Sequence, residues 1–174
     1  MALLVLGYPD LDLADYRRLQ TIRAEHDPQF GLVQPHFTLV FPLEGVGEDA
    51  LALHVRRTAE RMTPIDLSLN CALAWPEQDR PTTHVFLVPD AGFGRLVTLH
   101  DRLYSGQFAV YLRLDLPFVP HLTIAALKDR AAAFGLARTL NEEGVSMRGA
   151  LTRLTVARYA DGPVTNRVDI PLGG

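Results

Sequence analysis

Two stretches of the chain repeat one another in residue types that can move protons: Pro35-His36-Phe37-Thr38-Leu39 and Pro120-His121-Leu122-Thr123-Ile124. An imidazole titrates near neutrality, so it can give or take a proton at physiological pH. A threonine hydroxyl two residues further on can donate a hydrogen bond to an oxygen that gains charge in a transition state. Two such pairs on opposite sides of a phosphorus atom suit in-line displacement at a phosphodiester. One histidine takes a proton from an attacking water or hydroxyl, and the other, protonated, gives one to the leaving oxygen. Strand side chains alternate between faces, which predicts His36, Thr38 and Val40 on one side and Phe37, Leu39 and Phe41 on the other. In the second copy His121, Thr123 and Ala125 are set against Leu122, Ile124 and Ala126. The first set of each copy is expected at the site and the second in the core.

A single strand histidine is usually structural, and a strand threonine is usually there because β-branched residues fit a pleated sheet. Two copies with the same preceding proline, the same spacing and the same place in the chain are harder to attribute to packing. The other histidines, His26, His54, His84 and His100, have no such neighbours. His54 and His100 fall in amphipathic helical patterns, whereas His84 falls on a strand and is the one to watch.

The elements that must position these residues also repeat. Residues 2–8 read as an aliphatic strand closed by Pro9-Asp10, and residues 12–27 as a helix with Asp10 or Asp12 as N-cap and Leu13, Tyr16, Leu19, Ile22 and Arg23 at helical spacing. A strand over 35–42, a helix over 49–62 with Leu51, Val55, Thr58 and Met62 on one stripe, and a strand over 65–75 follow. After the loop around PEQDRPT the order starts again. A strand over 83–88 is closed by Pro89-Asp90, and a helix over 92–105 carries Phe93, Leu96, Leu99 and Leu103. Then come a strand over 120–127, a helix over 129–142 capped by Asp129 and stopped at Gly144, and a strand over 145–159. A last strand over 164–171 follows a turn at Asp161-Gly162-Pro163. The 85-residue step from His36 to His121 is too long for a solenoid. It predicts one domain over 1–174 built of two pseudo-symmetric lobes, with repeat units of about 1–75 and 81–171.

Composition narrows the function. With 174 residues, 48% of them hydrophobic, the chain can bury a sizeable core, and a formal charge of −3 gives no broad positive field for long duplex nucleic acid. Cys71, the single cysteine, excludes an internal disulfide and a multi-cysteine zinc site, fits a cytoplasmic location, and reads as a small buried strand residue. The N-terminal apolar run stops at Pro9, short of a signal peptide or membrane span. There is no HExxH, no carboxylate and histidine cluster at ligand spacing and no Walker-type loop, so neither a metal nor another cofactor is expected. Oligomeric state is not legible.

On the segments His36-Phe37-Thr38-Leu39 and His121-Leu122-Thr123-Ile124 the chain resembles the two-histidine (2H) phosphoesterase superfamily, which includes the bacterial RNA 2',3'-cyclic phosphodiesterases also called 2'-5' RNA ligases. The resemblance implies an α+β bilobal fold with a pseudo-twofold axis, two antiparallel sheets flanking a central cleft, and helices outside. It implies metal-independent hydrolysis of a cyclic phosphate, on a 2',3'-cyclic nucleotide or RNA end, or of a 2'-5' phosphodiester. His36 and His121 would be the acid and base pair, Thr38 and Thr123 the phosphate donors, and the partner a nucleotide or RNA-end phosphate. Many RNA-acting members carry an arginine soon after the second motif; here Ala125 and Ala126 stand there, and the first basic residue is Lys128. Further substrate contacts are sought among Tyr8, Phe118, Trp75 and Tyr159, and among Lys128, Arg130, Arg153 and Arg158. The competing readings are a non-catalytic nucleotide or RNA-end binding module of the same fold, and an α/β interaction domain whose repeats only build a core.

Overall fold

The computed structural model describes residues 2–160 and 163–173, so the tip of the expected turn, Asp161-Gly162, lies outside them. The chain runs β1 (Ala2–Gly7), β2 (Asp10–Leu11), α1 (Leu13–His26), β3 (Phe37–Leu43), α2 (Glu48–Ala59), β4 (Ile65–Pro76) and β5 (Thr83–Ala91). It continues with α3 (Phe93–Leu103), a short 3-10 helix (Gly106–Tyr111), β6 (Leu122–Leu127), α4 (Arg130–Glu142), β7 (Met147–Leu151), β8 (Arg153–Tyr159) and β9 (Thr165–Pro171). Two antiparallel sheets result, one ordered β3-β1-β8-β9 and the other β2-β7-β4-β5-β6. This is the α+β, two-sheet architecture expected.

The two halves are interleaved. β4, the third strand of the first repeat, pairs with β5 of the second, and β8 returns to pair with β1. The helices cross over as well: α1 lies against β6 and β7, while α3 lies against β3; α2 then covers β8 and α4 covers β4. Each sheet therefore depends on both ends of the chain. One large apolar core joins them, from Leu3, Val5, Phe37 and Leu39 through Leu51 and Val55 to Leu87, Leu122, Ile124 and Leu154. β1, central in its sheet, is buried on both faces, which accounts for its unbroken apolar run. Leu4, Leu6 and Ala157 form a separate small cluster on the face away from that core.

The expected strand over 145–159 is two strands in different sheets, β7 and β8, with Thr152 between them. Only Thr152 separates them, and threonine is itself a strand former, so propensity alone could not show the break. Asp129 caps α4 as expected, its carboxylate accepting from the amides of Ala131 and Ala132 at 2.9 and 3.2 Å. Asp12 precedes α1 but makes no side-chain cap, and Leu13 is exposed, so the buried stripe of that helix is Leu19 and Arg23. Gly92 turns the chain from β5 into α3 at φ 92°, where an added Cβ would meet the Asp66 carbonyl oxygen at 2.6 Å.

Irregularities in the strands decide which residues face where. The register of β3 against β1 jumps between Val5↔Val40 and Leu6↔Thr38, leaving Leu39 as an extra residue. β6 shows the same jump against β5, between Val85↔Ala125 and Phe86↔Thr123, leaving Ile124 extra. Both bulges fall three residues after the motif histidine. Alternation flips there, so Val40 and Ala125 turn into the core and Phe41 and Ala126 turn to the other side. The expectation that Val40 and Ala125 share the face of the histidines, with Phe41 and Ala126 in the core, is thus corrected. A bulge between Leu69 and Cys71 in β4 acts likewise and leaves Cys71 exposed rather than buried. In the native state Cys71 is therefore expected to react stoichiometrically with a water-soluble disulfide reagent. A thiol protected until denaturant is added would contradict the register given for β4.

Candidate active site

His36 and His121 each stand one residue before their strand, at the entrances to β3 and β6. Each is held in the same way. Nδ1 of His36 donates to the carbonyl of Gln34 at 2.7 Å, and Nδ1 of His121 donates to the carbonyl of Val119 at 2.6 Å. A carbonyl can only accept, so Nδ1 carries the proton and Nε2 is left with its lone pair. The acceptor lies across a proline in both cases. Proline restricts the residue before it to extended conformations and fixes its own φ, which aims the carbonyl of residue i−2 back at the ring. The repeated Pro-His is thus a device for orienting an imidazole.

The strands then bring the motifs to one cleft. Its wide arm, about 690 Å³, is lined by His36, Thr38, Phe41, Thr123, Ala126 and Tyr159 among others. Its narrow arm, about 280 Å³, is lined by Thr38, Phe41, Phe118 and His121. Thr38, Phe41, Glu77 and His84 border both arms, so they are parts of one space. Because β3 and β6 belong to different sheets, one His-Thr pair comes from each side.

The loop that delivers His36 is pinned by a buried ion pair that sequence reasoning treated only as part of a helical stripe. Arg23, 2% exposed, donates from Nε to Asp27 Oδ2 at 2.8 Å, from Nη2 to the Val33 carbonyl at 2.9 Å and from Nη1 to Gln20 at 3.1 Å. Asp27 Oδ1 accepts from the Gln29 amide at 2.9 Å. Before His121 the loop is held by a stack, with Phe118 lying 3.8 Å from His100 at 10°. Phe118 thus lines the narrow arm while bracing the loop.

Burial dominates the titration of both histidines. It lowers His36, an effect opposed by the Gln34 carbonyl, with the Arg23 charge lowering further and Asp27 raising. His121 is pushed down to about 4, first by burial, against the Val119 carbonyl, and then by the charges of His36 and His84. The charge of His36 thus opposes protonation of His121. The ring of His121 also stacks on Phe86 with centroids 3.7 Å apart.

The other candidates are distributed unevenly. Tyr159 lines the wide arm. Tyr8 sits beside the cleft, its ring edge-on to His36 at 6.1 Å and its hydroxyl donating to Asn166 at 2.8 Å. Trp75 lines the narrow arm. Lys128 is exposed past the end of β6 and lines neither arm, and Arg153 and Arg158 pair with Asp10 and Glu48. Arg80, on the β4–β5 hairpin, and Glu77 line the wide arm without having been singled out, because a charged hairpin tip reads as solvated surface. Among the described residues no three His, Cys, Asp or Glu side chains are grouped to hold a metal ion, and no helix is long and apolar enough to cross a membrane.

Two antiparallel sheets that each bring one His-x-Thr segment to a shared cleft define an enzyme of the 2H phosphoesterase type. The chain belongs to the 2'-5' RNA ligase superfamily, whose sequence model matches residues 9–163. Among curated relatives, a Bacillus licheniformis protein provisionally named a phosphoesterase is 29% identical over 124 residues, 70% of this chain and 68% of that one. A provisionally named phosphoesterase of Oceanobacillus iheyensis is 25% identical over 157 residues, 88% and 87% of the two chains. In fold, the apo form of E. coli LigT superposes with a TM-score of 0.63 at 22% identity over 100% of both chains. TT0787 of Thermus thermophilus superposes with a TM-score of 0.64 at 18% identity, covering 100% of this chain and 99% of that one.

Two outcomes follow from the geometry. Asp27→Ala leaves the Arg23 guanidinium buried without its partner and is expected to lower unfolding free energy by about 3 kcal/mol or more. Denaturant unfolding measures this, and the double variant with Arg23→Met should recover part of the loss. The second outcome concerns pH. The folded-state value of His121 lies below its ordinary 6.5, so the unfolded chain takes up its proton first as pH falls. The stability is fully present above about 6.5 and declines between 6.5 and 4. His121→Gln should flatten that decline in unfolding curves recorded at pH 7.5, 6 and 5.

Proposed function

We propose that this protein is a metal-independent phosphodiesterase that opens a cyclic phosphate, on a 2',3'-cyclic nucleotide or an RNA end, or cleaves a 2'-5' phosphodiester, with His36 and His121 as its acid and base. The observation that carries the reading is the matched pair of imidazoles. Each has Nδ1 tied to a carbonyl two residues back, each keeps Nε2 for a ligand, and the two come from opposite sheets of one cleft. E. coli LigT has been crystallised with 3'-AMP and with phosphate, which supports a nucleotide-sized phosphate ligand for this fold.

The phosphodiester anion lies between the histidines, with the Thr38 and Thr123 hydroxyls donating to its non-bridging oxygens. Water attacks phosphorus and gives its proton to a neutral imidazole. The P–O bond opposite breaks, and the leaving oxygen takes the proton of the other imidazole. The product is a phosphomonoester with one free hydroxyl. Burial lowers both imidazoles, and at His36 the Arg23 charge lowers further against the smaller raising effect of Asp27. Burial keeps both neutral in the free protein, so the anionic substrate must itself supply the attraction that protonates the imidazole acting as acid.

The test is hydrolysis of 2',3'-cyclic mononucleotides in the presence of EDTA, with rates followed across neutral pH. His36→Ala and His121→Ala are each expected to lose about a hundredfold or more in kcat, the usual worth of general acid–base catalysis. Full activity in both variants, or dependence on an added metal, would refute the assignment. Tight binding of the cyclic phosphate without turnover by the native protein would identify a binding module instead.

A further inference from the structure

The narrow arm of the cleft holds chemistry that the two motifs do not use. Its walls are flat rings: Phe86, Phe118 and Trp75, the last 43% exposed although it borders a pocket. Trp75 and Phe86 lie with centroids 6.2 Å apart at 29°. Among these rings stands one carboxylate, Glu77. Its amide donates to the Thr82 carbonyl at 2.9 Å, closing the hairpin between β4 and β5. Its Oε1 is 2.6 Å from Nε2 of His84. Among the described residues its Oε2 meets only the exposed Arg80, at 3.9 Å, beyond hydrogen-bond range.

His84 Nδ1 is buried with no hydrogen-bond partner among the described residues. A proton there would be an unsatisfied buried donor, and two lone pairs would then face each other across the contact with Glu77. The proton of the neutral ring therefore sits on Nε2 and is donated to Glu77. His84 acts as a fixed donor that orients the carboxylate, leaving Oε2 for a ligand. The first repeat offers no counterpart: counting back from Pro9 and Pro89, Leu4 on β1 takes the place of His84 on β5.

An arm built in this way selects by charge, shape and donors. A second phosphate is opposed by the like charge of Glu77. Flat aromatic walls suit a planar ring. A carboxylate has no proton to give, so it favours a ring edge with adjacent N–H donors and disfavours one that presents carbonyl oxygens. Guanine offers the first kind of edge, N1–H beside its exocyclic amine; uracil offers carbonyls on either side of one N–H. We propose that Glu77, oriented by His84, makes the narrow arm selective for a nucleobase with adjacent N–H donors, guanine above uracil. This rests on the cyclic-nucleotide reading of the site given above.

Trp75 is the only tryptophan of the chain, so its fluorescence reports occupancy of this arm without any need for turnover. Guanosine 3'-monophosphate and uridine 3'-monophosphate are titrated into the native protein and into Glu77→Gln. The native protein is expected to bind the guanosine compound about tenfold more tightly, with a change in Trp75 emission, and Glu77→Gln to reduce that preference to about threefold or less. Glu77→Asp, which withdraws the carboxylate by one methylene, should give an intermediate preference and serves if the Gln variant folds poorly. Equal affinities in the native protein, or a preference unchanged in both variants, would overturn the proposal. A guanosine preference that depends on Glu77, without hydrolysis of any cyclic nucleotide, would uphold this inference and defeat the hydrolase reading.

Discussion

One hydrogen bond in each half, from imidazole Nδ1 to the carbonyl two residues earlier, sets the chemistry available to this cleft. It decides the tautomer, fixes the ring and commits Nε2 to the open side. The bond needs a backbone that doubles back over two residues, and the intervening proline supplies it by limiting both its own φ and the conformation of its predecessor. Everything upstream serves to hold that acceptor still. Arg23 and Asp27 pin the first loop from within, and the Phe118 stack on His100 braces the second. The two devices differ in kind, one polar and one aromatic, yet deliver the same local geometry.

Downstream of each histidine the matching bulges do the complementary task. A regular strand would send the third and fifth residues after His36 to the same face as Phe37. The extra residue at Leu39 puts two consecutive side chains, Leu39 and Val40, into the core and releases Phe41 to the cleft. Ile124 and Ala125 repeat this and release Ala126. The freed amide of Phe41 donates to the hydroxyl of Tyr104 at the end of α3, so a helix of the second repeat secures a bulge of the first. Exchange of strands and helices between repeats thus ties the separation of the two histidines to the whole fold rather than to a hinge between lobes.

The pairing of His36-Thr38 with His121-Thr123, the order of strands and helices, and the two-sheet class were legible because they rest on local pattern and on its repetition. Face assignments beyond the threonines were not. Alternation is counted from sequence, and a one-residue bulge leaves no mark in residue type, so Val40, Phe41, Ala125, Ala126 and Cys71 all fall opposite to the simple count. The break at Thr152 was hidden as well, because threonine is itself a strand former. Arg23 carried a weak signal: a charged residue on an otherwise apolar helical stripe is either at its edge or buried with a partner, and Asp27 four residues on was that partner. Glu77 and His84 lie seven residues apart across a hairpin, a contact that requires the turn to be known.

Repetition makes the two His-x-Thr segments alike in residue type. Their surroundings differ. His121 stacks on Phe86, and its burial opposes its cation. His36 meets the edge of Tyr8, and its burial also opposes the cation, with the Arg23 charge lowering it further and the Asp27 carboxylate raising it. A proton on either ring disfavours a second on the other. Leu4 in one half and His84 in the other mark where the repeat departs from symmetry, and that departure places a fixed donor beside Glu77 in the cleft.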